Sequence, residues 1–137
     1  MDIPGYIIHR RDRNRNGGGV CIYIKSDLAF NPRPDLSHDG LESLWVEVLL
    51  PKTPPILTGV CYRPPKQNDF YELLEQSCAG GHIFVEHEII LLGDFNTNVM
   101  LKKNSLVSAL RNFQRMFGFK QLITEPTRVC ARSEFWT

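Results

Sequence analysis

Short runs of β-branched and aromatic residues, separated by stretches rich in proline and glycine, dominate this chain and predict strands. The predicted strands are residues 6–9, 20–24, 44–50, 56–62 and 88–92. The first two flank a polar, glycine-rich connection, which predicts a hairpin. Runs 44–50 and 56–62 are joined by a short turn, which predicts antiparallel pairing. Run 88–92, which is apolar from Ile89 onward, shows no alternation and is typical of a strand buried on both faces.

Two further segments have the apolar spacing of helices. Asp69 can cap the first, whose apolar positions begin at Phe70, and residues 80–81, both glycine, are expected to end it. The second opens at Ser105 and stops at Gly118. Its apolar stripe, expected to be core, consists of Leu106, Ala109, Leu110, Phe113 and Phe117. Strands that alternate with helices predict an α/β (α+β) domain with mixed pairing.

Composition places the chain among ordinary globular proteins and argues against several other classes. Of its 137 residues, 42% are hydrophobic and 23% are charged, close to the averages for such proteins. Residues 31–40, with two prolines and a glycine, predict a loop. No apolar run approaches the roughly 20 residues of a membrane helix, and no signal peptide is visible, so an intracellular location is expected.

Charge is uneven along the chain, although the net charge is only +1. Residues 1–25 hold five Lys or Arg against two Asp or Glu, residues 26–100 four against eleven, and residues 101–137 seven against two. Basic ends around an acidic middle suit a polyanionic substrate. The arginines of the first connection could follow a nucleic-acid backbone or belong to a solvated loop. They are Arg10, Arg11, Arg13 and Arg15.

The strongest chemical signal is Gly93-Asp94-Phe95-Asn96, directly after run 88–92. A strand here delivers an acid and an amide onto the loop at its carboxyl end, where open α/β sheets place ligand-binding residues. Residues i and i+2 of an extended chain share a face, so Asp94 and Asn96 can point at one ligand. The carboxylate can act as a general base toward water, and the amide can donate to a phosphoryl oxygen. The alternative is an Asx-turn bonded to neighbouring backbone N–H groups.

This motif resembles the hallmark of the endonuclease/exonuclease/phosphatase superfamily, in which Gly-Asp-Phe-Asn follows an apolar strand. Three other segments resemble the branch found in non-LTR (LINE-like) retrotransposons. They are Ile3-Pro4-Gly5-Tyr6 with Gly17-Gly18-Gly19-Val20, Leu44-Trp45-Val46-Glu47 with Tyr62-Arg63-Pro64-Pro65, and the helix from Ser105 with Glu125-Pro126-Thr127-Arg128. Their order and spacing follow the family over residues 3–129.

The resemblance implies a DNase I-like fold, here a partial two-sheet β-sandwich flanked by helices. It also implies a Mg²⁺-dependent endonuclease that hydrolyses phosphodiester bonds in DNA, encoded with a reverse transcriptase and acting in the nucleus. In such an enzyme, Asp94 would orient or deprotonate the attacking water and Asn96 would hold the scissile phosphate. Tyr62 would line the site and contact the phosphate; its other interpretation is an aromatic strand end without a catalytic role.

The chain departs from the family pattern at both ends. The family's asparagine-bearing first strand and its metal-binding glutamate precede the Gly-Tyr motif, which here stands near the first residue. A later Asp and a closing Ser-Asp-His motif, whose histidine contacts the phosphate, also have no match. Neither His82 nor His87 can replace that histidine, and both are expected on exposed loops. Glu42 and Glu47 flank a mid-domain strand and are not the metal glutamate.

Residues 1–137 are therefore expected to be a partial domain without its N-terminal and C-terminal catalytic segments. The chain is expected to derive from a retrotransposon endonuclease and to be inactive in isolation. A non-catalytic remnant or a weak nucleic-acid-binding module is the alternative. Another phosphodiesterase of the superfamily, such as a phosphoinositide phosphatase, is disfavoured by Tyr62-Arg63-Pro64-Pro65. An incomplete sandwich also predicts an unpaired sheet edge and exposed core surface.

Overall fold

A computed structural model describes residues 1–79, 87–129 and 135–136, and the largest sheet within them has four strands. That sheet consists of β3 (Ala29–Pro32), β4 (Glu42–Leu49), β5 (Ile56–Tyr62) and β6 (Glu88–Asp94), in this order. A hairpin is formed by β1 (Tyr6–Asp12) and β2 (Gly19–Lys25). A short antiparallel pair is formed by β7 (Arg128–Val129) and β8 (Phe135–Trp136).

The helices of the described residues are α1 (Phe70–Ala79) and α2 (Ser105–Phe117), and a 3-10 turn covers Pro34–Leu36. Helix α1 begins directly after Asp69, as predicted, whereas its expected stop at residues 80–81 lies outside the described residues. It stands in the connection between β5 and β6, which pair in parallel and therefore need a crossover. The other neighbours in the sheet are antiparallel, so the predicted mixed pairing is confirmed.

The two faces of the sheet are covered by different elements. The hairpin packs against β4 and β5. The opposite face carries Trp45, Leu57 and Cys61, and the helices pack there to form the main core. Trp45 stands opposite Gly59 in the register, and a Cβ on Gly59 would lie 2.5 Å from the indole ring. A glycine inside this strand therefore makes room for the largest side chain of the core.

Helix α2 contributes the predicted apolar stripe to this core. Phe113 is buried, and the other stripe residues pack against the core cluster. Asn104 caps the helix, because its Oδ1 accepts the N–H of Leu106 at 2.9 Å. Gly118 ends the helix with φ = 71°, the left-handed conformation that favours glycine. No helix within the described residues has both the length and the apolar character to cross a membrane.

Two segments predicted as loop belong to strands. Residues 10–12, charged and expected in the first connection, continue β1 because each pairs with a residue of β2. Residues 31–32, the start of the predicted loop 31–40, belong to the edge strand β3, which pairs with β4 over four positions. Pro32 stands at the end of that strand, where its lack of an N–H group costs no ladder hydrogen bond.

Strand β6 is less buried than its apolar sequence predicted. Within the described residues it pairs with β5 alone, and Ile90 and Leu92 are 46% and 55% exposed. These two side chains lie on the face where the hairpin covers β4 and β5. The prediction that residues 88–92 are buried on both faces is therefore wrong. A local apolar run does not show that its strand lies at the edge of the sheet. Within the described residues, β6 therefore has one edge without a strand partner and exposes apolar side chains.

Replacing both Ile90 and Leu92 by lysine should reduce self-association of the chain, because charge on an edge strand opposes pairing with another molecule. Sedimentation velocity over a range of concentrations measures the effect. Met116→Lys is the matched control, since Met116 is equally exposed, at 58%, but lies on α2. An equal reduction by the control, or a wild-type chain that stays monomeric throughout, would contradict the prediction.

Candidate active site

The candidate site begins where β5 and β6 end side by side. Tyr62 stands opposite Asp94 in the parallel register, and Glu42 of β4 stands opposite Tyr62. Directly opposite residues of neighbouring strands point to the same face of a sheet. Tyr62 and Asp94 therefore project together from the hairpin side, with their strands about 4.8 Å apart.

Gly93 allows the two strands to approach at this point. Its φ is 151°, and a Cβ on it would lie only 1.8 Å from the carbonyl oxygen of Cys61. The N–H of Arg63 then donates to the carbonyl oxygen of Asp94 at 2.8 Å, so contact continues one residue beyond β5. The glycine of the motif is thus required by strand packing, and the acid beside it is placed as a consequence.

A tight turn, not an extended chain, connects Asp94 to Asn96. Strand β6 ends at Asp94, and Asn96 has φ = 43°, in the left-handed region. The Asp94 Oδ1 atom accepts the N–H of Asn96 at 3.1 Å, so the Asx-turn alternative describes the local backbone. The prediction that these two residues share a face of an extended chain is wrong, because the strand has already ended. Asn96 instead reaches the site through the turn.

The Asn96 side chain is anchored to the neighbouring strand end. Its Nδ2 atom donates to the carbonyl oxygen of Arg63 at 2.7 Å. A side-chain amide nitrogen carries two hydrogens, so one such contact leaves the second N–H for a ligand. Asp94, Asn96 and Tyr62 are therefore brought to one edge of the sheet, with Asp94 exposed and the other two half-buried.

A buried polar layer supports the turn from below. Arg63 is fully buried, and its Nη1 atom donates to the carbonyl oxygen of Asn96 at 2.8 Å. The hydroxyl groups of Tyr71 and Thr97 lie 2.7 Å apart and share a hydrogen bond. Burial raises the pKa of Tyr71, so its hydroxyl keeps its proton at neutral pH. In the sequence Arg63 stood out only as part of a motif; a charged residue directly after an apolar strand was the available signal.

Arg13 covers Tyr62 from the hairpin side. Its guanidinium carbon lies 5.3 Å from the centre of the Tyr62 ring, a cation–π contact, and its Nη2 atom lies 2.9 Å from Oε2 of Glu42. The hydrogen bond with Glu42 raises the pKa of Arg13. Gly18 provides the space, since a Cβ there would lie 2.9 Å from Cζ of Arg13. The absence of a side chain at Gly18 therefore allows Arg13 to lie over Tyr62.

Two other arginines of the first connection also have partners within the chain. Arg10 pairs with Asp12 at 2.5 Å, and Arg11 donates to the carbonyl oxygen of Ser43 at 3.2 Å. Positive charge on this hairpin is therefore partly used inside the molecule, which weakens the interpretation of a continuous phosphate-binding stripe there.

His87 and Glu47 form an ion-pair contact away from the candidate site. His87 was expected on an exposed loop, but its side chain is only 13% exposed and its Nε2 atom lies 2.9 Å from Oε2 of Glu47. That expectation is wrong, because Glu47 on β4 holds His87 just before β6. The same Glu47 oxygen also pairs with Nη1 of Arg33 at 3.2 Å. This cluster is at the opposite end of the sheet from Asp94. His82 lies outside the described residues.

The described residues do not supply a complete set of magnesium ligands. Glu42 and Asp94 stand on strands separated by the Tyr62 strand, so their backbones are about 10 Å apart. Glu42 is also engaged by Arg13. In residues 1–79, 87–129 and 135–136 no group of three or more His, Cys, Asp or Glu side chains could hold a metal.

The site opens onto the edge of β6 that has no strand partner among the described residues. A groove of about 740 Å³ extends from the turn along this strand and is closed on the other side by α2 and the segment after it. Asp94, Asn96 and Lys120 line its polar part, whereas Leu92, Phe113 and Leu122 line its apolar part. A substrate can therefore approach Asp94 and Asn96 without passing the hairpin.

Gly93→Ala should destabilise the chain by about 3 kcal/mol or more, because the new Cβ forces β5 and β6 apart at a left-handed position. Urea unfolding followed by tryptophan fluorescence measures the loss. Gly118→Ala is the matched control: Gly118 also has positive φ, but nothing lies within 4 Å of its added Cβ. The control should lose about 1–2 kcal/mol. Equal losses would contradict the close approach of the strands.

Neither a protein-family model nor a curated protein sequence matches the chain. Solved structures share its fold. The endonuclease domain of TRAS1, a telomere-specific non-LTR retrotransposon, superimposes with a TM-score of 0.70 and 13% identity, over 98% of this chain and 64% of that one. ANGEL2, a 2′,3′-cyclic phosphatase, superimposes with a TM-score of 0.52 and 19% identity, over 97% of this chain and 45% of that one.

These likenesses establish the fold. The mixed α/β arrangement is similar to that of these two solved structures, and the predicted DNase I-like fold is confirmed. The chain spans 64% of the TRAS1 domain and 45% of ANGEL2.

Proposed function

We propose that this chain is the central part of a retrotransposon-type endonuclease domain that hydrolyses phosphodiester bonds in DNA. The observation that carries the proposal is the meeting of Tyr62 and Asp94 at the carboxyl ends of two parallel strands, with Asn96 anchored beside them. The likeness of 98% of the chain to the TRAS1 endonuclease domain supports the same assignment.

Each of the three side chains has a chemical role in this proposal. Asp94 uses one oxygen for the turn, and a carboxylate has further acceptor positions, so it can orient an attacking water and take its proton. Asn96 donates its second N–H to a non-bridging phosphate oxygen, where charge increases in the transition state. Tyr62 donates its hydroxyl to the same phosphate, and Arg13 over its ring restricts the ring's position.

In this proposal residues 1–137 alone bind DNA but do not cleave it at a useful rate. The retrotransposon resemblance assigns the metal-binding glutamate and the closing histidine to segments without a match here, and the chain spans 64% of the TRAS1 domain. Loss of one member of a cooperating catalytic set removes several orders of magnitude in rate. Magnesium, a reverse transcriptase in the same polypeptide and a nuclear location belong to the same proposal.

Plasmid nicking in the presence of Mg²⁺ tests the catalytic part. The 137-residue chain should nick no faster than its Asp94→Ala variant, whereas a polypeptide extended by the coding sequence on both sides should nick, and should lose about 10³-fold or more with Asp94→Ala. The extensions should contain the upstream Asn and Glu segments and the downstream Ser-Asp-His motif. Equal rates for the extended polypeptide and its Asp94→Ala variant would contradict an endonuclease role for this site.

DNA binding distinguishes the endonuclease assignment from a remnant without function. Lys102 and Lys103 are exposed just after the candidate site, and each phosphate contact contributes about 0.9 to the slope of log affinity against log salt. Changing both to glutamine should lower that slope by up to about 2 in fluorescence anisotropy with a short duplex. Lys52→Gln is the control, because Lys52 lies on the turn at the other end of the sheet. An absence of binding at low salt would leave only the remnant.

A further inference from the structure

Arg63 is an unusual residue to find beneath the candidate site. Its side chain is fully buried, and an arginine keeps its charge in a protein interior. Among the described residues no carboxylate lies within ion-pair distance of it. A buried charge is costly unless it is paired, so the position needs an explanation beyond packing.

The guanidinium group of Arg63 binds backbone carbonyls on both sides of the site. Its Nη1 atom lies 2.8 Å from the carbonyl oxygen of Asn96 and 3.5 Å from that of Phe95. Its Nη2 atom lies 3.4 Å from the carbonyl oxygen of Pro65. One planar fork therefore ties the motif turn to the segment after β5, a geometry that lysine cannot reproduce.

Asn96 returns the contact, which makes the arrangement reciprocal. The Arg63 guanidinium donates to the Asn96 carbonyl, and the Asn96 amide donates to the Arg63 carbonyl at 2.7 Å. Asn96 has φ = 43°, a conformation that costs free energy and persists only where surrounding contacts impose it. Arg63 therefore fixes both the backbone of Asn96 and the direction of its side chain.

The charge of Arg63 is not fully satisfied by these carbonyls. Its Nε atom is buried without a hydrogen-bond partner in the described residues. In a low-dielectric interior, an unneutralised cation raises the potential of the turn above it and favours a negative ligand there. A bound anion would in turn lower the cost of burying the cation.

We propose that Arg63 is a positioning residue for the candidate site, which holds Asn96 in its left-handed conformation and uses its buried charge to favour a bound phosphate group at the turn of residues 94–98. This inference rests on the proposed function, because it concerns the same site. It adds a residue that touches the turn and not the reacting atoms. It also predicts a linkage: phosphate binding and closure of the turn should stabilise each other.

Amide hydrogen exchange of the 137-residue chain, with inorganic phosphate against chloride at equal ionic strength, tests this linkage without any variant. Phosphate should slow exchange at the amides of residues 95–98, by about twofold at its half-saturating concentration, and leave residues 44–48 of β4 unchanged. An absence of local slowing would overturn the inference.

Variants of Arg63 separate charge from packing. Arg63→Met should lose the phosphate response, whereas Arg63→Lys, measured at a pH where the lysine is protonated, should keep it at a lower thermal midpoint, because lysine then supplies the charge without the fork. Lys66→Met, which removes an exposed cation three residues away, should respond as the wild type does. An unchanged response in Arg63→Met, or loss of the response in Arg63→Lys, would overturn the inference. If Arg63→Met does not fold, Arg63→Lys and the wild-type exchange data decide it.

The outcomes differ from those that would refute the proposed function. A wild-type chain that responds to phosphate through residue 63 but does not bind duplex DNA would contradict the endonuclease assignment and leave Arg63 in its role. If the chain binds DNA but phosphate slows amide exchange equally in the wild type and in Arg63→Met, the endonuclease assignment stands and the role of Arg63 is contradicted.

Discussion

The contact between Gly93 and the carbonyl of Cys61 determines how the candidate site is assembled. A side chain at Gly93 would collide with that oxygen at 1.8 Å, so the parallel strands β5 and β6 can end together only around a glycine. Their shared end places Tyr62 beside Asp94. It also allows Arg63 to pair with the turn that begins there. The positions of these side chains therefore follow from the close approach of the β5 and β6 backbones at Gly93.

Around that contact, the site is held from two directions. From the helix side, the buried Arg63 binds the carbonyls of the turn and fixes Asn96. From the hairpin side, Arg13 lies over Tyr62 and pairs with Glu42. The groups that we propose to contact a phosphate are thus restrained by cations on neighbouring elements, in keeping with the need for preorganised donors at sites of phosphoryl chemistry.

Local sequence signals predicted the elements that depend on local chemistry. The apolar stripe and Gly118 define α2, and β5 agrees with the prediction at both ends. Burial depends on neighbours that no local pattern shows. Residues 89–92 are all apolar, and only the sheet order reveals that Ile90 and Leu92 face outward on an edge strand. Strand β3 was not predicted, because its pairing with β4 outweighs the turn-forming composition around it.

The site shows the same division. Local patterns placed an acid, an amide and an aromatic residue at strand ends, but the turn at Asn96 and the buried partner Arg63 depend on contacts between distant segments.

The most direct test of the proposed site is an NMR titration of the labelled chain with a short DNA duplex. If one phosphate contacts both residues, the side-chain amide of Asn96 and the ring of Tyr62 should shift together, with one affinity. Shifts confined to the opposite end of the sheet, around Glu47, would contradict the assignment.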